Sequence, residues 1–152
     1  MAVWNDPARW SALTRGDDCP ICRRGGPKDV IATLETTWVT AQDSAPMAGY
    51  ACLVFRRHAV ELHDLAPDEA SAFMRDAQRL SRAVAHVTGA VKLNYEIHGN
   101  TLPHLHMHFF PRRRGDTFED RAIDPRQVKS PVYARDEYRA FVDDLTSALG
   151  DG

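Results

Sequence analysis

The sequence predicts an α+β fold: a mostly antiparallel sheet of about five strands, with one long helix and a C-terminal helix. Short β-branched and apolar runs, bounded by turn residues, lie on both sides of one long stretch with apolar residues three and four positions apart, and a second such stretch closes the chain. Residues 1–28, rich in Pro, Gly, Asp and Arg around Cys19-Pro20-Ile21-Cys22, read as an irregular N-terminal segment that something must hold down, and residues 29–152 as the one domain. Residues 30–34 and 37–41 are short and β-branched, and 50–55 is a nearly continuous apolar run, giving three strands with turn residues 43–49 between the last two. Residues 64–67 start the long helix, with Pro67, Asp68 and Glu69 suited to its first turn. Ala70, Phe73, Ala77, Leu80, Val84 and Val87 then form its apolar stripe as far as Gly89. A fourth strand is expected over 91–97, a turn at Gly99-Asn100, a fifth strand over 105–110 ended by Pro111, and a last helix over 133–149, where Tyr138, Phe141, Val142, Leu145 and Leu149 fall at helical spacing.

At 152 residues, with 43% hydrophobic and 26% charged, the chain has enough apolar mass for one core and is unlike a disordered segment. Its formal net charge of −2 argues against a general binder of nucleic-acid polymers or membrane surfaces. No apolar stretch approaches the ~20 residues of a bilayer span, and the first ten residues carry polar, charged and proline positions where a secretory signal is apolar. The expectation is a cytoplasmic protein. Three cysteines do not make a disulfide framework; in a reducing compartment Cys19-x-x-Cys22 suggests metal or redox chemistry, while Cys52, inside an apolar run, reads as core.

Residues 103–112 read Pro-His-Leu-His-Met-His-Phe-Phe-Pro-Arg. In a strand His104, His106 and His108 share one face, about 6–7 Å apart, while Leu105, Met107 and Phe109 share the other. Imidazoles near neutral pH serve as nucleophile, acid, base or metal ligand, and the spacing alone selects none of these.

The segment resembles the histidine triad nucleotide hydrolases and transferases in its His-φ-His-φ-His-φ-φ pattern. The resemblance extends to Gly99-Asn100 before the pattern, Pro111-Arg112 after it, and residues 53–65 followed by the long helix. It implies a nucleotidyl-transfer mechanism: His106 attacks the α-phosphorus of a nucleotide and forms a covalent nucleotidyl-histidine that water hydrolyses, and His108 hydrogen-bonds the phosphate. Asn100 and Thr101 stand where the family has Gln and Ser or Thr, and would hold phosphate oxygens or the leaving group; Asn94 and His98 are further substrate contacts. Asn100 reads equally well as a plain turn residue. Where the family often has Gly-His, with a histidine that helps to orient the nucleophile, this chain has Gly49-Tyr50, so the tyrosine hydroxyl either takes over that role or the role is missing. Members with an N-terminal Cys pair imply a structural zinc site at Cys19, Cys22, His58 and His104; the alternative is a reduced, metal-free pair. A zinc-bound His104 cannot protonate the leaving group, which would take its proton from water or from its own phosphate.

The resemblance further implies a dinucleoside polyphosphate, such as diadenosine tetraphosphate, or a nucleoside phosphoramidate as substrate, and a homodimer built through the long helix and a sheet edge. Two other readings stay open: a metallohydrolase with the three triad histidines as zinc ligands, and a non-catalytic nucleotide-binding or interaction module. His63 and His86 read as solvated or packing residues, and residues 112–114 as a basic turn or a distal phosphate contact.

Overall fold

The computed structural model describes residues 2–129 and 131–150, so the outermost positions of both expected segments lie outside the described residues. In chain order the elements are α1 (Pro7–Thr14), α2 (Pro20–Arg24), β1 (Val30–Thr33), β2 (Thr37–Thr40), β3 (Ala51–Phe55), α3 (Pro67–Thr88), β4 (Lys92–Ile97), β5 (His106–Arg112) and α4 (Glu137–Gly150), with short 3-10 turns between some of them. The strands form one sheet in the order β1-β2-β3-β5-β4, and every neighbouring pair is antiparallel.

The sheet has two covered faces. Phe73, Ala77, Leu80 and Val84 of α3 pack with Val39, Leu53, Leu93, Met107 and Phe109 on one face, where α4 adds Phe141, Leu145 and Leu149. Full burial of each large side chain contributes about 1.5–3 kcal/mol. On the other face a smaller cluster joins Cys19 and Ile21 to Tyr50, Cys52, Val54, Phe110, Phe118 and Ile123. The buried Asp76 of α3 ties the β1–β2 turn to the helix, accepting from the amides of Glu35 and Thr36 and from the hydroxyls of Thr36 and Thr37 at 2.9–3.2 Å. A Glu69 carboxylate oxygen accepts from the Ala66 amide at 2.9 Å at the start of α3, and Gly89, at φ 62°, ends it in the left-handed conformation that favours glycine.

Three expectations are corrected. The N-terminal segment is helical: the Asp6 side chain accepts from the Arg9 amide at 3.0 Å to cap α1, and Pro7 and Pro20 each sit in a first helical turn, where a missing N–H is harmless. Pro111 does not end β5, because the ladder with β4 continues through Leu93–Pro111 and Lys92–Arg112; β3 has already stopped at Ala51–Phe109, so no strand flanks the proline on that side. Tyr133 lies outside α4, which begins only after Asp136 at φ 67°. The Tyr133 hydroxyl instead accepts from the Gly49 amide at 2.8 Å. Gly49 itself is required, since at φ +86° a Cβ there would meet Thr88 Cγ2 at 2.6 Å and Pro111 Cγ at 3.0 Å.

Candidate active site and metal cluster

His106 and His108 project from the face of β5 that carries Phe110, opposite Val54 and Cys52 of β3. The Nδ1–H of His106 donates to the carbonyl of His104 at 2.6 Å. A carbonyl oxygen can only accept, so Nδ1 carries a proton, and the neutral ring then has its lone pair on Nε2. The ring of His108 stands edge-on to that of His106 at 4.8 Å between centroids, with its Nδ1 2.6 Å from the Tyr50 hydroxyl. Burial first, then the neighbouring His106 and His98, push His108 down to about 4, so it is neutral near pH 7. Burial raises the Tyr50 phenol far above the usual tyrosine range. The Tyr50 hydroxyl therefore reaches the third histidine of the pattern, His108, rather than the second, His106.

The expected row of three imidazoles on one strand face is corrected at its first member. β5 begins at His106, and the His104 amide closes a tight turn onto the Leu102 carbonyl at 2.8 Å across Pro103. His104 is fully buried and points toward the N-terminal segment. Its Nε2–H donates to the Phe55 carbonyl at 2.7 Å, leaving the Nδ1 lone pair 3.4 Å from Cys19 Sγ and 3.7 Å from Cys22 Sγ. His58 repeats the arrangement: Nε2–H donates to the Thr14 carbonyl at 2.9 Å, and Nδ1 lies 3.4 Å from Cys22 Sγ. Gly16, at φ +89°, lets the chain pass the His58 ring, which a Cβ there would meet at 3.2 Å.

The four donor atoms of Cys19, Cys22, His58 and His104 all lie within 4.8 Å of one another. Metal–sulfur bonds of about 2.3 Å and metal–nitrogen bonds of about 2.0 Å in a tetrahedron put S and N about 3.5 Å apart, which the observed 3.4, 3.4 and 3.7 Å match. Both outer imidazole nitrogens are fixed by carbonyls, the arrangement that orients metal-ligating histidines. Burial, followed by the adjacent Cys19, pushes the Cys22 thiol up to about 11, and a divalent cation at the centre offsets that penalty. The residues fit a tetrahedral zinc ion. Among the described residues the three triad histidines do not converge as a ligand set, because His104 faces the cysteines while Nδ1 of His106 is held by a carbonyl. The geometry removes the basis for the three-histidine metallohydrolase.

The other expected site residues are dispersed. Asn100 and Thr101 lie exposed on the loop entering β5. The Asn94 side-chain oxygen accepts from Arg112, so this side chain is engaged in the structure. Arg112 is neither a solvated turn residue nor a phosphate contact: it is buried, paired with Asp116 at 2.8 Å, and donates to the carbonyls of Phe118 and Arg121. The Arg112 guanidinium holds the Asp116 carboxyl well below the usual carboxylate range. His63 and His86 are exposed. His98 stacks obliquely beside His108 at 5.5 Å between centroids, and its Nε2 lies 2.8 Å from a Glu96 carboxylate oxygen. Glu96 was not anticipated; it pairs in register with His108, a placement that period-two alternation yields only once β4 is known to flank β5. Glu96, His98, His108, Tyr50, Phe110 and Pro46 help to line a cleft of about 370 Å³ beside the triad.

A sequence profile of the HIT domain matches residues 23–115, which include His58 and all three histidines of the pattern but not Cys19 or Cys22. A histidine triad protein from Bradyrhizobium japonicum is similar at 31% identity and TM-score 0.70, over 79% of this chain and 89% of that one. A second, from Sinorhizobium meliloti, is 23% identical with TM-score 0.70, over 83% and 91% of the two chains. A structure described as a zinc-bound histidine triad family protein from Mycobacterium smegmatis is 22% identical with TM-score 0.60, over 93% and 92%.

Proposed function

The chain belongs to the histidine triad (HIT) family, and on that premise we propose that it is a nucleotide hydrolase or transferase working through a nucleotidyl-histidine. His106 is the nucleophile. The observation that carries this reading is the 2.6 Å bond from its Nδ1–H to the His104 carbonyl, which leaves the Nε2 lone pair to attack the α-phosphorus. The bond from phosphorus to the leaving group breaks, and water then cleaves the phosphorus–nitrogen bond. His108, neutral and held by Tyr50, donates from Nε2 to a phosphate oxygen, which suits a ring whose Nδ1 accepts from a phenol. Asn100, Thr101, Asn94 and His98 are the proposed substrate contacts, Asn94 by exchanging part of its bond to Arg112. The substrates are dinucleoside polyphosphates such as diadenosine tetraphosphate, or nucleoside phosphoramidates.

Zinc at Cys19, Cys22, His58 and His104 would act as a structural cross-link between the N-terminal helices and the triad loop. His104 then positions the catalytic residue His106 through its carbonyl without taking part in proton transfer. A homodimer is proposed through the flank of α3 and the open edge of β4, where Met74, Tyr95 and Ile97 are exposed. No helix among the described residues is long and apolar enough to cross a membrane, in keeping with the cytoplasmic location we propose. The near-neutral charge supports neither a nucleic-acid polymer nor a membrane surface as partner.

A turnover panel of nucleoside phosphoramidates and dinucleoside polyphosphates tests the reading. Hydrolysis of at least one class by the wild type, abolished in His106→Ala while nucleotide binding persists, is expected. Binding without turnover of any of them would leave the interaction module standing instead.

A further inference from the structure

None of His104, His106, His108 and Tyr50 is placed to hand a proton to a leaving group. Both ring nitrogens of His104 are occupied, by the Phe55 carbonyl and by the cysteine sulfurs. The Nδ1 proton of His106 is donated to the His104 carbonyl, and its Nε2 is the proposed nucleophile. His108 is held neutral by burial, and the buried Tyr50 phenol keeps its proton far above its usual range. The departing group must nonetheless be neutralised if it is an amine or an alkoxide.

His98 is placed differently. It follows β4 directly and helps to line the cleft that Tyr50, His108 and Phe110 also line. Its Nε2 is 2.8 Å from Glu96 Oε2. A carboxylate only accepts, so Nε2 carries a proton, and no described residue bonds Nδ1. Its ring is 5.5 Å from that of His108, which is 4.8 Å from that of His106. His98 is thus linked to the nucleophile's ring through a shared contact with His108. Other titratable groups around His98 are Glu96 on β4, His108 and, beyond it, His106 on β5, and Tyr50 ahead of β3. Asp124 and Arg126, which flank the cleft-lining Pro125, neutralise each other at 2.9 Å.

We propose that His98, oriented by Glu96, carries the proton to and from the reaction at His106, an inference that rests on the nucleotidyl-histidine reading. In the first half the His106 Nε2 lone pair forms the bond to phosphorus, the leaving atom departs with the electron pair of the broken bond, and it takes the Nδ1 proton of the His98 imidazolium. In the second half neutral His98 accepts a proton at Nδ1 from the attacking water. The water oxygen forms the new bond to phosphorus, and the electron pair of the phosphorus–nitrogen bond returns to His106. Glu96 keeps its proton contact with Nε2 throughout and orients the ring. Glu96 is thus a positioning residue and His98 a catalytic one.

The test uses two substrates of the same nucleotide: an alkylamine phosphoramidate, whose leaving group needs a proton, and a p-nitrophenyl ester, whose leaving group does not. The His98 side chain is 54% exposed, so its removal opens no cavity. His98→Ala is expected to lose roughly 100-fold in kcat/KM on the phosphoramidate and at most about tenfold on the ester, with Glu96→Gln changing both in the same sense by less. Equal losses on the two substrates would make His98 a binding contact and overturn the proposal. So would no loss on either, or turnover of the ester alone by the wild type. Absence of a nucleotide adduct on His106 in the wild type, with the ester still hydrolysed, would instead defeat the nucleotidyl-histidine reading beneath it.

Discussion

The carbonyl oxygen of His104 accepts the Nδ1–H of His106 at 2.6 Å. The imidazole of the same His104 lies 3.4 Å from Cys19 Sγ. One residue therefore belongs to the candidate metal cluster through its side chain and contacts the proposed nucleophile through its backbone, so whatever fixes the cluster also orients His106.

Purified protein is accordingly expected to contain about one equivalent of zinc. Cys19→Ser and Cys22→Ser should each lower that content together with the melting temperature, and chelation should raise amide exchange in α1 and α2 more than in the sheet, which has its own core. Metal analysis and hydrogen exchange check this. Full zinc retention in Cys19→Ser would contradict the ligand set.

Stability should depend on pH through His108. Its folded value of about 4 lies below the ordinary ~6.5 of an unfolded histidine. The unfolded chain therefore binds the extra proton first, and stability falls as pH drops from about 6.5 to 4, by up to about 3 kcal/mol. Denaturant melts between pH 7 and 4.5 are expected to show a smaller decline for His108→Gln than for the wild type; identical slopes would contradict the assignment.

Light scattering at micromolar protein should give the mass of a dimer, and Ile97→Glu or Tyr95→Lys on the open β4 edge should give a monomer with the fold retained. A monomeric wild type would remove that interface.

Much of this was legible in the sequence because it follows from local periodicity. The stripe from Phe73 to Val84 predicted α3, and the β-branched runs placed β1 to β3 within a residue of their observed ends. What escaped depends on contacts between distant segments. Pro111 continues a strand only because β3 has already ended beside it, and Arg112 looked solvated until Asp116 and the carbonyls of Phe118 and Arg121 were seen around it. The alternation of histidines correctly put His106 and His108 on one face, but it could not reveal that the turn across Pro103 swings His104 away to Cys19 and Cys22. Nor could it bring Glu96 to the site, since that placement comes from the register of β4 on β5.

The central claim is that His106 Nε2, freed by the bond from its own Nδ1, becomes covalently bonded to phosphorus. Wild-type protein mixed with a substrate from the panel, quenched within a turnover and digested, should yield a peptide containing residues 104–108 that is heavier by one nucleotidyl group. The label should sit on His106, be lost in acid and be absent from His106→Ala. Steady turnover with no such adduct, accompanied by inversion at a chiral α-phosphorus, would mean that water attacks directly and would contradict the account.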